Sequence, residues 1–177
     1  MAELSKQAKN QLVKRFLISA LLLFIVWQLA YNLVLKPNGS LDEALTSIVV
    51  KGTELGMKIF NSNSEARGNI IYINGNAAIR VEHVCNGLEL MVLYVCFFLC
   101  IPGRIRPKMS YIILGLFIVF VLNTIRQMLL AYNYLYFNST FEFNHKYTYI
   151  AVIYFAVFLL WRHWLIRYSI IAENRNK

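Results

Sequence analysis

The chain has 177 residues, 58% of them hydrophobic and only 15% charged, with a mean hydropathy of +0.50. A soluble domain of this length cannot hide that much apolar surface, so the composition excludes a soluble protein and reads as one membrane domain, residues 1–177. The formal net charge of +9 does not imply nucleic acid, because the positive residues sit in short clusters beside the apolar runs, as orientation signals do.

Four apolar segments are expected to span: 16–35, 84–101, 110–132 and 147–166. The apolar part of the second reaches only about 24 Å at about 1.5 Å per residue, so its start is set a turn early, near Val84. The first is not expected to be a cleaved signal peptide, because its apolar run is too long and no small-residue cleavage site follows. Basic residues fix the orientation. Lys6, Lys9, Lys14 and Arg15 precede the first span, Arg104, Arg106 and Lys108 lie between the second and third, and Arg162, Arg167, Arg175 and Lys177 close the chain. Segment 36–84 balances five basic residues with five acidic ones. The positive-inside rule then places both termini in the cytoplasm and segments 36–84 and 133–146 outside.

The outer segment 36–84 has its own structure. Apolar residues from Leu41 to Phe60 recur at helical spacing with charges between them, which predicts an amphipathic helix lying on the outer membrane surface. Residues 61–68 read as a polar loop. Ile70 to Ile73, a turn at Asn74-Gly75-Asn76, and Ala77 to Val81 read as a β-hairpin. It leads straight into Cys85, either as a wall that pairs with an extended substrate or as a cap over the helix ends. The fold class is therefore an all-α polytopic membrane protein with four transmembrane helices, both termini cytoplasmic, and an outward amphipathic helix and short β-hairpin between spans one and two.

Three chemically capable residues fall at the outer edge of three different spans: Cys85 opening the second, Arg126 late in the third and His145 just before the fourth. A thiol becomes a nucleophile as its thiolate, favoured by a helix N-terminus and nearby cations. Arg126 is costly within a span, about 2.5–3.5 kcal/mol on insertion scales, and always charged, so it suits an oxyanion or thiolate partner and not a general base. His145 suits proton transfer at neutral pH. His83, two residues from Cys85, is a rival base, and Glu89 a rival partner for Arg126. Gly87 would let a substrate backbone approach. Cys96 and Cys100 read as packing residues.

Cys85-Asn86-Gly87-Leu88, then Asn123-x-x-Arg126, then His145, in that order and at one membrane depth, resembles the exosortase/archaeosortase family, most of all its compact F-type branch. The resemblance covers residues 80–165. It implies a polytopic cysteine protease or transpeptidase of the bacterial cytoplasmic membrane, with catalytic Cys85, Arg126 and His145 facing the periplasm. It also implies a substrate-binding role for Asn86, Gly87 and Asn123. The implied substrate is a membrane-anchored protein with a C-terminal sorting signal, made of a short motif, a transmembrane helix and a basic tail. A partner membrane protein could supply further surface. No metal, cofactor or nucleic acid is expected. The main alternative is a non-catalytic scaffold subunit of a protein export or sorting system. A quinone-linked thiol oxidase would need paired outer cysteines, and a transporter would need more intramembrane polar residues and broken helices.

Overall fold

The structure is a computed structural model that describes residues 6–61 and 63–169. Arg175 and Lys177 of the C-terminal basic cluster lie outside the described residues. The described residues are mostly helical with one small sheet. Its backbone groups into two compact units. The first contains the described residues of Met1–Asn38, Leu90–Leu116 and Val157–Lys177, the second Gly39–Glu89 and Phe117–Ala156.

Among the described residues, three helical stretches are long and apolar enough to cross a membrane: Asn10–Asn38, Ile105–Tyr136 and Asn138–Tyr168. The first is α1 (Lys6–Ala30), a π turn at Tyr31–Leu35 and α2 (Lys36–Asn38). It carries exposed Leu17, Leu21, Leu22, Phe24 and Ile25, surface that lipid can cover. In the first unit, Tyr94 is fully buried and donates its hydroxyl to the carbonyl of Tyr111 at 2.7 Å. Phe97 stacks on Trp161 with ring centroids 4.2 Å apart. Cys96 and Cys100 lie here as free thiols.

The second expected span is shorter than its sequence suggests. Helix α4 runs Leu88–Cys100, 13 residues, or about 20 Å against a hydrocarbon core of about 30 Å. Its start is delayed by Gly87, whose φ of +88° lies outside the right-handed helical region.

In the second unit, α3 (Ser40–Asn61) is the expected amphipathic helix. Asp42 and Glu43 in its first turn and Lys58 in its last complement the helix dipole. Its apolar residues divide between two faces. Val49, Val50 and Met57 are buried with Ile71, Ile73, Ala78, Val81 and Ala131 in one core. Leu41, Ile48, Leu55 and Ile59 remain exposed.

The hairpin belongs to a three-stranded antiparallel sheet, β1 (Ser64–Arg67), β2 (Ile70–Ile73) and β3 (Asn76–Arg80), in that order. The turn between β2 and β3 has φ of +51° at Asn74 and +79° at Gly75, the left-handed pair that a two-residue hairpin requires. Strand β1 corrects the expectation of a loop over 61–68. It pairs with β2 from Ser64↔Ile73 to Arg67↔Ile70. Glu65 and Arg67 on its outer face bond at 2.9 Å.

The connection 133–146, placed outside by the charge pattern, is itself mostly helical. Helix α5 (Ile105–Tyr136) reaches Tyr136, and helix resumes at once as α6 (Asn138–Phe143), a π turn at Asn144–Thr148 and α7 (Tyr149–Tyr168). The corner at Phe137 is held by its N–H bonding the Asn133 carbonyl at 2.8 Å, and by Asn133 Nδ2 donating to Thr140 Oγ1 at 3.0 Å.

Candidate active site

All three reactive residues read from the sequence lie in the second unit, and the fold joins them. Cys85 ends a short 3-10 turn, His83–Cys85, directly after the sheet. It therefore precedes α4 instead of opening it. Its N–H donates to the Glu82 carbonyl at 2.8 Å. Its carbonyl oxygen accepts two side-chain amides from α5, Asn123 Nδ2 and Gln127 Nε2, each at 3.1 Å.

The next two residues tighten this turn. Asn86, 1% exposed, donates Nδ2 to Asp42 Oδ1 of α3 at 3.0 Å and accepts the Leu88 N–H on Oδ1 at 2.9 Å. The Leu88 bond satisfies one of the amides that a helix start leaves open. At Gly87 an added Cβ would sit 3.2 Å from Asn123 Nδ2. The left-handed backbone and that close approach both call for glycine. Asn86, Gly87 and Asn123 thus make their contacts with the protein around Cys85.

His145 approaches from the π turn Asn144–Thr148. Such turns carry an extra residue per hydrogen-bonded ring and recur at functional sites. The Cys85 Sγ lies 3.8 Å from His145 Nε2. The imidazole stacks on Phe141 with centroids 5.7 Å apart and planes 18° apart, and Phe141 meets Tyr134 edge-on at 5.4 Å. The rival His83 instead has Nδ1 3.1 Å from Thr46 Oγ1.

Arg126 is 8% exposed. Its Nη2 donates to the His145 carbonyl at 3.5 Å, and its buried Nε–H has no partner among the described residues. Among the described residues no carboxylate pairs with it, and Glu89 is exposed without a bridge to it. A buried guanidinium normally finds a carboxylate. This one keeps donor capacity for an anion.

A cavity of about 300 Å³ opens at this point. Cys85, Gln127 and His145 line it together with Ala78, Ile79 and Arg80 of β3, Glu82, and the apolar or aromatic Leu130, Tyr134 and Phe141. A thiol next to an imidazole can pass its proton to Nε2 and become a nucleophile, and a guanidinium with a free N–H can hold developing negative charge.

Sequence reasoning missed Gln127, Asp42 and Thr46. Gln127 is 2% exposed and sits one turn after Asn123, so an intramembrane polar residue at that spacing was the available signal. Asp42 and Thr46 share the buried face of α3, and only the position of Asn86 explains why.

The sequence model of the transmembrane exosortase family matches residues 8–162 of the 177. The likeness therefore includes the first span, α3 and the sheet, beyond the stretch 80–165. No curated protein and no solved structure gives a significant match.

Proposed function

The chain belongs to the transmembrane exosortase family, and from that premise we propose that it is a membrane-embedded cysteine transpeptidase or protease of the compact F-type branch. Its substrates are exported proteins anchored by a C-terminal transmembrane sorting signal. The observation that carries the reading is the 3.8 Å approach of Cys85 Sγ to His145 Nε2 beside a buried Arg126 that has no carboxylate partner among the described residues.

In this mechanism His145 takes the Cys85 proton, and the thiolate attacks a peptide carbonyl close to the substrate's membrane anchor. Negative charge grows on the carbonyl oxygen, and the Arg126 guanidinium stabilises it. The C–N bond then breaks, His145 returns the proton to the leaving amine, and an acyl thioester remains on Cys85. An incoming amine or water gives up a proton to His145 and releases the acyl group, giving transpeptidation or hydrolysis respectively. Asn123, Gln127, Asn86 and Gly87 act as positioning residues that hold the Cys85 turn.

The charge distribution supports a cytoplasmic-membrane protein with four spans, the short α4 being one of them, both termini inside and the site on the periplasmic face. On this reading the exposed stripe Leu41, Ile48, Leu55 and Ile59 rests on the outer lipid surface.

The test is cleavage of an exported reporter carrying a C-terminal sorting signal, run alongside labelling of right-side-out vesicles with a membrane-impermeant thiol reagent. Cys85 should label, and Cys85→Ser should abolish reporter processing without lowering protein abundance. Full processing by Cys85→Ser would remove the enzyme reading and leave the scaffold. An unlabelled Cys85 would remove the outward orientation.

A further inference from the structure

Strand β3 is an edge of the sheet, and no strand pairs with its outer side among the described residues. The pairing pattern says which backbone groups face that way. The Val81 N–H donates inward to the Asn69 carbonyl at 2.8 Å. Alternate residues of an antiparallel strand direct their N–H and C=O to opposite edges, so Arg80, opposite Ile70, directs both outward. Just before it the register shifts, because Ile71 opposes Ile79 while Tyr72 opposes Ala77. Ala78 is thereby an extra, bulged residue, and bulges bend a strand and re-aim its edge.

The cavity lies along this strand. Ala78, Ile79 and Arg80 line it, as do Glu82, Gln127, Leu130, Tyr134 and Phe141 and the candidate pair Cys85 and His145. An unpaired edge is a template for another strand. The apolar and aromatic Leu130, Tyr134 and Phe141 that share the cavity with this edge suit a side chain of the same kind.

We propose that the substrate enters as an extended segment, adds to the sheet by pairing with the outward N–H and C=O of Arg80, and places an apolar side chain against Leu130, Tyr134 and Phe141. The scissile carbonyl then arrives at Cys85. This rests on the reading of Cys85 as the nucleophile. It adds that recognition runs through main-chain pairing, so one side-chain pocket and an extended backbone define the substrate.

The test uses the purified full chain in lipid nanodiscs and peptidyl chloromethyl ketones, whose chloride is displaced as the thiolate forms a C–S bond. The probes are acetyl-Phe, acetyl-Ala-Ala-Ala-Phe, and the same tetrapeptide N-methylated at each alanine in turn. Modification of Cys85 is followed by peptide mass spectrometry, with iodoacetamide as a probe that needs no pairing. In the native protein and in Arg80→Ala, which keeps the backbone N–H, the tetrapeptide should react about tenfold faster than acetyl-Phe, a gain of the size of one or two net hydrogen bonds. One of the N-methylations should erase that lead in the native protein. Arg80→Pro should erase it too, because proline removes the outward N–H at an edge position where the fold tolerates it. Iodoacetamide rates should stay equal throughout.

A lead that survives every N-methylation and Arg80→Pro overturns strand addition, as does no lead at all while iodoacetamide still labels Cys85. The N-methylated peptides decide the matter on the native chain even if Arg80→Pro does not fold. Failure of iodoacetamide to label Cys85 overturns the nucleophile reading, and strand addition with it.

Discussion

Gln127 of α5 donates its side-chain amide to the carbonyl oxygen of Cys85 at 3.1 Å, and Asn123, one helical turn earlier, donates to the same oxygen at the same distance. Two amides on one face of a helix therefore hold the peptide unit that carries the thiol. Cys85 sits in a turn, where backbone freedom is greatest, and this pair removes that freedom.

Sharing an acceptor makes the two amides non-additive. Asn123→Ala or Gln127→Ala alone leaves the Cys85 carbonyl one donor, and each should destabilise by about 1 kcal/mol. The double variant leaves a part-buried oxygen without either donor, which costs up to about 1–3 kcal/mol more. A double-mutant cycle in thermal unfolding should show that excess, and Cys85 alkylation should slow most in the double variant. Strict additivity would mean the two bonds do not share their burden.

Substitutions at Arg126 should separate function from stability. Its guanidinium is buried without a carboxylate partner among the described residues, so the fold carries a desolvated charge. Arg126→Met keeps the long apolar stem and removes that charge, and should leave stability equal or higher. Processing should fall by roughly 100-fold to 1000-fold, the scale of losing an oxyanion donor. Arg126→Lys should also fail to restore it, since a point charge does not reproduce the planar fork. A clear drop in melting temperature for Arg126→Met, with processing lost only in proportion to folded protein, would support a structural role.

Gly87→Ala tests the left-handed turn. Alanine at φ +88° is strained by about 1–2 kcal/mol, and its Cβ would press on Asn123. The expected result is a lower melting temperature and slower Cys85 alkylation together, because moving Asn123 loosens the clamp. Slower alkylation should be partly relieved in Gly87→Ala/Asn123→Ser, where the obstructing amide is gone.

The candidate residues were legible because a membrane makes polar residues conspicuous. Cys85, Arg126 and His145 stand out at span edges, and Asn74-Gly75 announces its hairpin turn. Strand β1 was not legible, since Ser64-Glu65-Ala66-Arg67 contains no β-branched or aromatic residue and acquires its conformation by pairing with β2. The late start of α4 depends on the φ of Gly87, which apolar periodicity does not encode. The burial of Val49, Val50 and Met57 against the sheet was hidden for another reason. An amphipathic pattern reports that a face is covered, and lipid and protein leave the same pattern. The π turn at His145 was invisible as well, because one extra residue in a helix leaves no compositional mark, yet the His145 ring is presented to Cys85 from that turn.

His145→Ala carries the last prediction, and it can distinguish a proton carrier from a packing residue. Removing the imidazole should cut processing by about 100-fold to 10,000-fold, the range of general acid–base catalysis. It also widens the cavity of about 300 Å³ that His145 lines beside Cys85, leaving space for a small base from solution. Millimolar imidazole should therefore restore part of the Cys85 alkylation rate and part of the processing. The restored rate should rise with the concentration of the neutral base and saturate as the space fills. A methylated imidazole too bulky for the space should rescue less. The Phe141 ring, which stacks on His145 in the native chain, should matter to rescue because it forms one face of the vacated space, so His145→Ala/Phe141→Ala should bind imidazole more weakly. If His145 only packs, imidazole will change nothing, and His145→Phe will match the native protein in Cys85 reactivity.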